Sequence, residues 1–371
     1  MAITVNPTFL RDLRRYGAFD VSACFHCGNC TAVCPLSDEA GNFPRRLIRL
    51  GQIGDRDRLL DSPEAWLCYY CGECSNTCPR HAEPGEYMAA VRRYAIAATE
   101  PTGLARWMYG SAIGLTVLTA VFGAILGAML VGIRASSEVQ HVLFRLVSYG
   151  TVHNVGVGVM IVTVLSMAMS VAKVLRRFLK GTGPRPLASY VAAARRTIAE
   201  VGTMKRHRQE CSTSKESWYR NAAMVHLAVF YGFLGLLLAT TLDFVFITLL
   251  PLGITTFWPA RIIGTVSGVV MMAGVTAAIL RRLQKAEKSV SRSDPMDWWL
   301  LWVLWVLGAT GFWLEIAVMF GKANLLHELV LLVHAALAME LILFTTFTKF
   351  AHVIYRPLAL FSYLLRKQPG S

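Results

Sequence analysis

Cys24-Phe-His-Cys27-Gly-Asn-Cys30-Thr-Ala-Val-Cys34-Pro35 and Cys68-Tyr-Tyr-Cys71-Gly-Glu-Cys74-Ser-Asn-Thr-Cys78-Pro79 are one pattern, C-x2-C-x2-C-x3-C-P, used twice. Three thiolates at this spacing wrap one face of a [4Fe–4S] cube, and the fourth, carried off by the turn before proline, reaches the other cube in two-cluster proteins. The spacing therefore assigns Cys24, Cys27, Cys30 and Cys78 to one cluster and Cys68, Cys71, Cys74 and Cys34 to the other. Zinc favours ligand pairs totalling four, and neither zinc nor a disulfide framework calls for two such identical runs. Between the runs lie the 33 residues Pro35 to Leu67, with Arg45-Arg-Leu-Ile-Arg-Leu50; after the second run comes Glu86 to Ala98. Both stretches read as helix, so this domain is expected to be all-helical and not strand-built. His26 and His81 adjoin the clusters and are expected to be solvated imidazoles, with tuning of a cluster by hydrogen bonds as the alternative. The ninth cysteine, Cys211, stands alone and is expected to be a free thiol.

Beyond this domain the texture changes. The chain has 371 residues, 54% hydrophobic and 16% charged, with a mean hydropathy of +0.46. That is too apolar for one soluble domain. The net charge is +14, yet residues 1–107 hold 12 basic against 12 acidic side chains, so the whole excess falls in the apolar remainder. This argues against a nucleic-acid reader and for basic loops beside membrane spans. A span takes about 20 helical residues. Six candidates follow: Met108 to Ile133, Val152 to Leu175, Ala222 to Leu250, Pro259 to Leu280, Trp298 to Phe320 and Leu326 to Phe350. Residues 176–220 carry 11 Lys and Arg and residues 281–297 carry five, whereas residues 251–258 carry none. By the positive-inside rule the basic loops, both termini and the cysteine domain are expected in the cytoplasm, with no secretory signal in Met1 to Asp20. The 176–220 charge reads as orientation and lipid contact, or as docking for a partner. Trp258, Trp298 and Trp299 fall at span ends, and Gly123/Gly127 and Gly264/Gly268 read as close-packing pairs.

Ionisable side chains at membrane depth are costly and so mark function. His334 and His352 are 18 residues apart, five turns of one helix, which places them on one face about 27 Å apart. His226 begins the third span at the inner end and His153 the second at the outer end. Two axial pairs follow, His226 with His352 and His153 with His334, each suited to a b-type haem; interhelical hydrogen bonding is the alternative. His327 is the reserve for the outer site, and His141 and His207 read as loop residues. A quinol pocket needs a proton acceptor, for which Glu315, Lys322, Asp243 and Glu328 are candidates; each can equally be an interfacial charge. Glu340 also lies within a span. The expected organisation is all-α: a helical two-[4Fe–4S] ferredoxin domain, residues 1–105, followed by a six-helix transmembrane cytochrome b domain, residues 106–371.

With these residues placed, the chain resembles the membrane subunits of quinone-interacting membrane-bound oxidoreductase (Qmo) complexes. It is similar to a fusion of the iron–sulfur and cytochrome b subunits of heterodisulfide reductase. The eight cysteines follow that family's pattern without departure. The membrane half also resembles the gamma subunit of respiratory nitrate reductase, whose last two haem histidines share the spacing of His334 and His352. It departs from that relative where a ligand would fall ten residues after His226, since Leu236 stands there and His153 must serve instead. The resemblance implies an oxidoreductase subunit of the inner membrane, active in sulfate respiration. Menaquinol would be oxidised in the membrane and electrons would pass through two b haems and two [4Fe–4S] clusters to FAD-containing iron–sulfur flavoprotein subunits of the Qmo A and B type. Adenylylsulfate reductase would be the final acceptor. Two alternatives remain at this point: the same wire serving a heterodisulfide- or sulfite-reduction module, and a haem-free membrane anchor for an iron–sulfur protein. No Gly-x-Gly-x-x-Gly follows a strand-like segment, so a flavin site must come from a partner.

Overall fold

The computed structural model describes residues 5–133, 143–210, 217–250, 257–285, 287–321 and 324–367. Among them every regular element is helical. Six helices are long and apolar enough to cross a membrane: Ala112–Gly132, Tyr149–Phe178, Ala222–Phe246, Trp258–Leu283, Pro295–Met319 and Leu325–Thr346. Their outer faces carry exposed apolar side chains such as Val121, Leu165, Leu237 and Ile262, as expected of surfaces bathed in hydrocarbon. The chain is a multi-pass membrane protein.

Polar residues set where the spans begin. Ser111 caps the first through the N–H groups of Ile113 and Gly114, Ser148 the second, and Asn221 the third. Asp294 and Asp297 form a capping box on the fifth with Pro295 in its first turn, and Asn324 with His327 forms another on the sixth. Each cap answers backbone donors that a helix start leaves unpaired. His327, the reserve ligand, takes part in this cap through its Nδ1, 2.7 Å from Asn324 Oδ1.

The sixth span does not run unbroken to Phe350. Its α-helix ends at Leu343, a 3-10 turn covers Phe344–Thr346, a second covers Lys349–Ala351, and a new helix runs His352–Lys367. The cause is the threonine-rich Phe344-Thr-Thr-Phe-Thr348. Thr348 donates its hydroxyl to Phe344 O at 2.8 Å and accepts from Phe350 N, so its side chain competes with the helical ladder. His334 and His352 therefore do not leave one face of a continuous helix, and the five-turn spacing does not measure their separation.

Close packing also falls elsewhere than expected. A Cβ at Gly127 would meet nothing within 4 Å, and at Gly264 only Ala239 at 3.5 Å, whereas Gly268 faces Phe312 at 3.0 Å. The tightest approach joins the third and fourth spans, where a Cβ on Gly232 would stand 2.6 Å from Met271 N and one on Gly274 2.9 Å from Val229 N.

The cysteine domain sits against one end of the spans. Its core residues Phe9, Leu47, Tyr87 and Met88 belong to one apolar cluster with Val174, Phe178, Met296, Phe344 and Tyr355 of the membrane part. The two basic connections reach across to it. Arg177 and Lys180 meet Asp61 at 3.1 and 3.2 Å, Arg206 meets Glu39, Lys288 meets Glu83 at 2.8 Å, and Arg292 meets Asp20. Several of these pairs are exposed, worth about 0–1 kcal/mol each, so they orient more than they stabilise. Part of the basic excess thus serves the chain's own domain. Residues 187–203 of that connection form a helix packed on His352–Lys367.

Candidate functional site

The two cysteine runs fold alike. Gly28 and Gly72 take φ of 89° and 92°, and the residues before the second cysteine, His26 and Tyr70, take 64° and 60°. Such left-handed steps turn successive N–H groups inward and make a cup for an anion. Tyr70 N donates to Cys68 Sγ at 3.3 Å and Ala82 N to Cys78 Sγ at 3.4 Å. The short helices Asn29–Ala32 and Glu73–Asn76 pack together, with Asn29 Nδ2 donating to Thr77 O.

No disulfide joins the eight cysteines of the two runs. Burial pushes the Cys30 thiol up, followed by its neighbours Cys24, Cys27 and Cys78. Burial also pushes Cys74 up, followed by Cys68, Cys71 and Cys34, and then Cys30. Each of these two thiols thus lies near members of both runs, Cys30 feeling Cys78 and Cys74 feeling Cys34 and Cys30. So many thiols cannot all ionise side by side without a shared cation, and an iron cluster supplies one.

His26 is no free imidazole: it bonds Gln52 Oε1, while Gln52 Nε2 donates to Val21 O and Cys24 O. His81 is exposed, as expected. Cys211, His141 and Lys322 lie outside the described residues.

At the end of the spans that meets the cysteine domain, the rings of His226 and His352 stand 6.2 Å apart between centroids. Two imidazoles ligating opposite faces of one metal, with bonds near 2.0 Å, are separated by about 6.3 Å. His352 Nδ1 lies 2.6 Å from Lys349 O, a hydrogen bond that protonates Nδ1 and leaves the Nε2 lone pair free. His226 opens onto a cavity of about 770 Å³, also lined by Phe230, Val353, Pro357 and Leu360. Cofactor pockets run to about 300–1,000 Å³. The residues present fit a bis-histidine haem.

Sequence reasoning missed His207. It is 8% exposed, its ring lies 6.0 Å from that of His226, and it stacks on Tyr69 at 4.6 Å and 17°. Burial, then His226, lowers its pKa to about 3, so it is neutral. Tyr69 Oη donates to Glu200 at 2.7 Å, and the Arg356 guanidinium lies 3.6 Å from the Tyr69 ring while donating to Leu67 O and Cys68 O. The cavity reaches from His226 and His352 to Cys68 and Cys71.

Farther from the cysteine domain the arrangement differs. The second and sixth spans run parallel, with Gly156 beside Met339, Thr163 bonding Ile342 O, and Ser166 beside Thr346. This register puts His153 and His334 at matching depth. Their rings make no contact with each other: His153 stacks on Phe244 at 5.1 Å, and His334 Nδ1 pairs with Thr310 Oγ1 at 2.8 Å. Among the described residues no ring contact like that of His226 with His352 joins this pair.

Of the quinol candidates, Glu315 takes two hydrogen bonds from Arg261 at 3.0 and 2.8 Å. Asp243 lies close enough to feel both, and its Oδ1 is buried without a partner. It stands where the third span passes into the π-helical turn Phe244–Leu249, a register change often found at functional sites. Arg261 was not foreseen. Glu328 is buried in the first turn of the sixth span, and Glu340 is buried mid-span with Oε1 unpartnered.

Residues 20–82 match the model of a 4Fe-4S dicluster domain. The chain is similar to a protein of Archaeoglobus profundus that is itself like the C subunit of heterodisulfide reductase, with 36% identity over 108 residues covering 27% of this chain and 57% of that protein. It is similar to the C subunit of the H(2):CoB-CoM heterodisulfide,ferredoxin reductase of Methanothermobacter thermautotrophicus at 28% over 63 residues, 17% of this chain and 34% of that one. The iron-sulfur C subunit of the CoB--CoM heterodisulfide reductase of Methanopyrus kandleri is 31% identical over 71 residues, 17% of this chain and 37% of that one. The N-terminal part is an iron–sulfur electron-transfer module related to these heterodisulfide reductase C subunits. The chain spans 57% or less of the length of these curated relatives. No solved structure matches it.

Proposed function

We propose that this chain is the membrane-bound electron-transfer subunit of a quinol-oxidising complex of the Qmo type. It takes electrons from menaquinol and delivers them to FAD-containing iron–sulfur partners on the cytoplasmic side, with adenylylsulfate reductase as the final acceptor. The observation that carries this is the facing pair His226 and His352 at one end of a cavity whose other end is the Cys68–Cys71 loop. His226 and His352 would hold one haem, and the eight cysteines two [4Fe–4S] clusters; bound there, these groups supply one-electron carriers.

The protein's own residues do the rest. The Lys349 carbonyl fixes the His352 tautomer, and the caps at Asn221 and Thr348 fix the start of the helix or turn that leads to each imidazole. In the outer half of the bundle, unpartnered Asp243 is placed to accept a proton from a quinol hydroxyl. Arg261 holds Glu315 beside it as a fixed carboxylate.

Metal and pigment analysis of the purified chain tests this. The expected result is about eight irons in clusters and a b-type band in the reduced-minus-oxidised spectrum. His226→Ala and His352→Ala are expected to abolish that band and His207→Leu to retain it, while Asp243→Asn slows haem reduction by quinol but not by dithionite. A chain with clusters but no b-type band is a haem-free anchor, and the proposal falls.

A further inference from the structure

The two cysteine repeats share a sequence pattern and a backbone, but not surroundings. The second is embedded. Arg356 binds the carbonyls of Leu67 and Cys68, Tyr69 is clasped by Glu200, His207 and Arg356, and Lys288 lies 3.1 Å from where a Gly72 Cβ would stand. Tyr70 donates to Glu86 at 2.6 Å, and Glu86 pairs with buried Arg93, which faces Asp294 and Asp297 of the fifth span. The first repeat is held by its own domain: Gln52 binds Cys24 O, Asn29 reaches Thr77, and Arg45 covers Gly28. Its ion pairs with the membrane part flank it, Asp20 with Arg292 upstream of Cys24 and Glu39 with Arg206 downstream of Cys34. Cys27 is exposed, as are Phe25 and Phe19 on either side of Cys24, at 59% and 60%.

Rings span the gap on the buried side. His352 is 6.2 Å from His226, His226 is 6.0 Å from His207, His207 is 4.6 Å from Tyr69, and Tyr69 is bonded to Cys68 through the chain. Beyond it Cys74 is close enough to Cys30 to feel its charge.

Resting on the proposed quinol reading, we infer that the two repeats are wired in series: electrons come in at the Cys68–Cys78 repeat and leave at the Cys24–Cys34 repeat, with Tyr69 and His207 positioning the first crossing. A quinol gives up two electrons and two protons. The protons pass to carboxylate and water in the membrane part, the electrons cross one at a time, and a flavin of the partner collects the pair, taking its protons from solvent. The partner meets the chain over Cys27, where the ligand nearest to solvent shortens the last step.

The test uses the full chain in lipid nanodiscs, pulsed with a water-soluble quinol, freeze-quenched and read by EPR. Cys71→Ser and Cys27→Ser, which alter one ligand each, identify the signal belonging to each repeat. The Cys71 signal is expected to rise before the Cys27 signal. Tyr69→Leu and His207→Leu are expected to slow the passage from reduced haem to cluster severalfold, with Tyr69→Phe restoring it and haem and cluster midpoint potentials unmoved; a merely structural role would shift potentials or lose cofactor. The opposite order, or an unaltered crossing rate in both leucine variants, overturns the inference. A wild-type chain whose haem is not reduced by quinol overturns the proposed function instead. In that case a photochemical pulse to the haem still reads the order of the two repeats.

Discussion

The repeats at residues 24–34 and 68–78 are a comparison that the protein makes with itself. Both cups form from the same glycine and the same left-handed residue before the second cysteine, so the motif alone fixes how thiols converge. What surrounds each cup is set by other residues: Arg356, His207 and Lys288 for the second, and Gln52 and Arg45 of its own domain for the first, where Cys27 is exposed. Local sequence builds a cluster site, and tertiary contacts give it a place in a circuit.

Removing a cysteine breaks the comparison most severely. Cys74→Ala is expected to cost its cluster and release the domain from the spans, whereas Cys27→Ala costs a cluster at the surface and leaves the domain seated. Limited proteolysis beside iron analysis separates the two, and equal sensitivity would deny the asymmetry. Arg93→Ala comes next. It leaves Glu86 and Asp294 buried without their cation, while Asp297 keeps Lys349, a loss of about 3–5 kcal/mol, seen as a lower Tm of the detergent-solubilised protein. Then come the glycines. A side chain at φ near 90° costs about 1–2 kcal/mol in either repeat, but Gly72→Ala also presses on Lys288 Cβ at 3.1 Å, while Gly28→Ala meets only the mobile end of Arg45. The Gly72 variant should therefore be the less stable of the two, and the reverse ranking would count against the packed environment. Smallest is Tyr70→Phe, which removes the hydrogen bond to Glu86 and about 1–2 kcal/mol, with no comparable loss of Tm from His81→Ala at an exposed position.

The sequence made some of this plain and hid the rest for physical reasons. Cysteine spacing is local chemistry, and hydropathy over twenty residues is a sum, so the clusters and six spans could be read directly. The break after Leu343 could not. Five residues of Phe and Thr are apolar enough to extend a span, and only the bonding of Thr348 to Phe344 shows that they end it. The rings of His226 and His352 come within 6.2 Å of each other on a route that the spacing argument for His334 and His352 did not describe: the broken helix, not a straight one, delivers His352. His207 sits in a charged stretch, Lys205-Arg-His-Arg208, whose pattern says solvent; its burial depends on Tyr69 from a distant loop. Arg261 lies in an apolar run where a lone cation draws notice only once Glu315 is seen opposite.

The helix His352–Lys367 carries a consequence for how the molecule is made. It holds His352 at the cavity, Arg356 on the Cys68 loop and Arg366 on the Asp61 carbonyl, so one rod clasps parts that leave the ribosome some three hundred residues earlier. Domains fold in the order of synthesis. The cysteine cups are therefore finished and open to iron while their clasp is still unmade, and biogenesis ends, not begins, with the closing of the circuit.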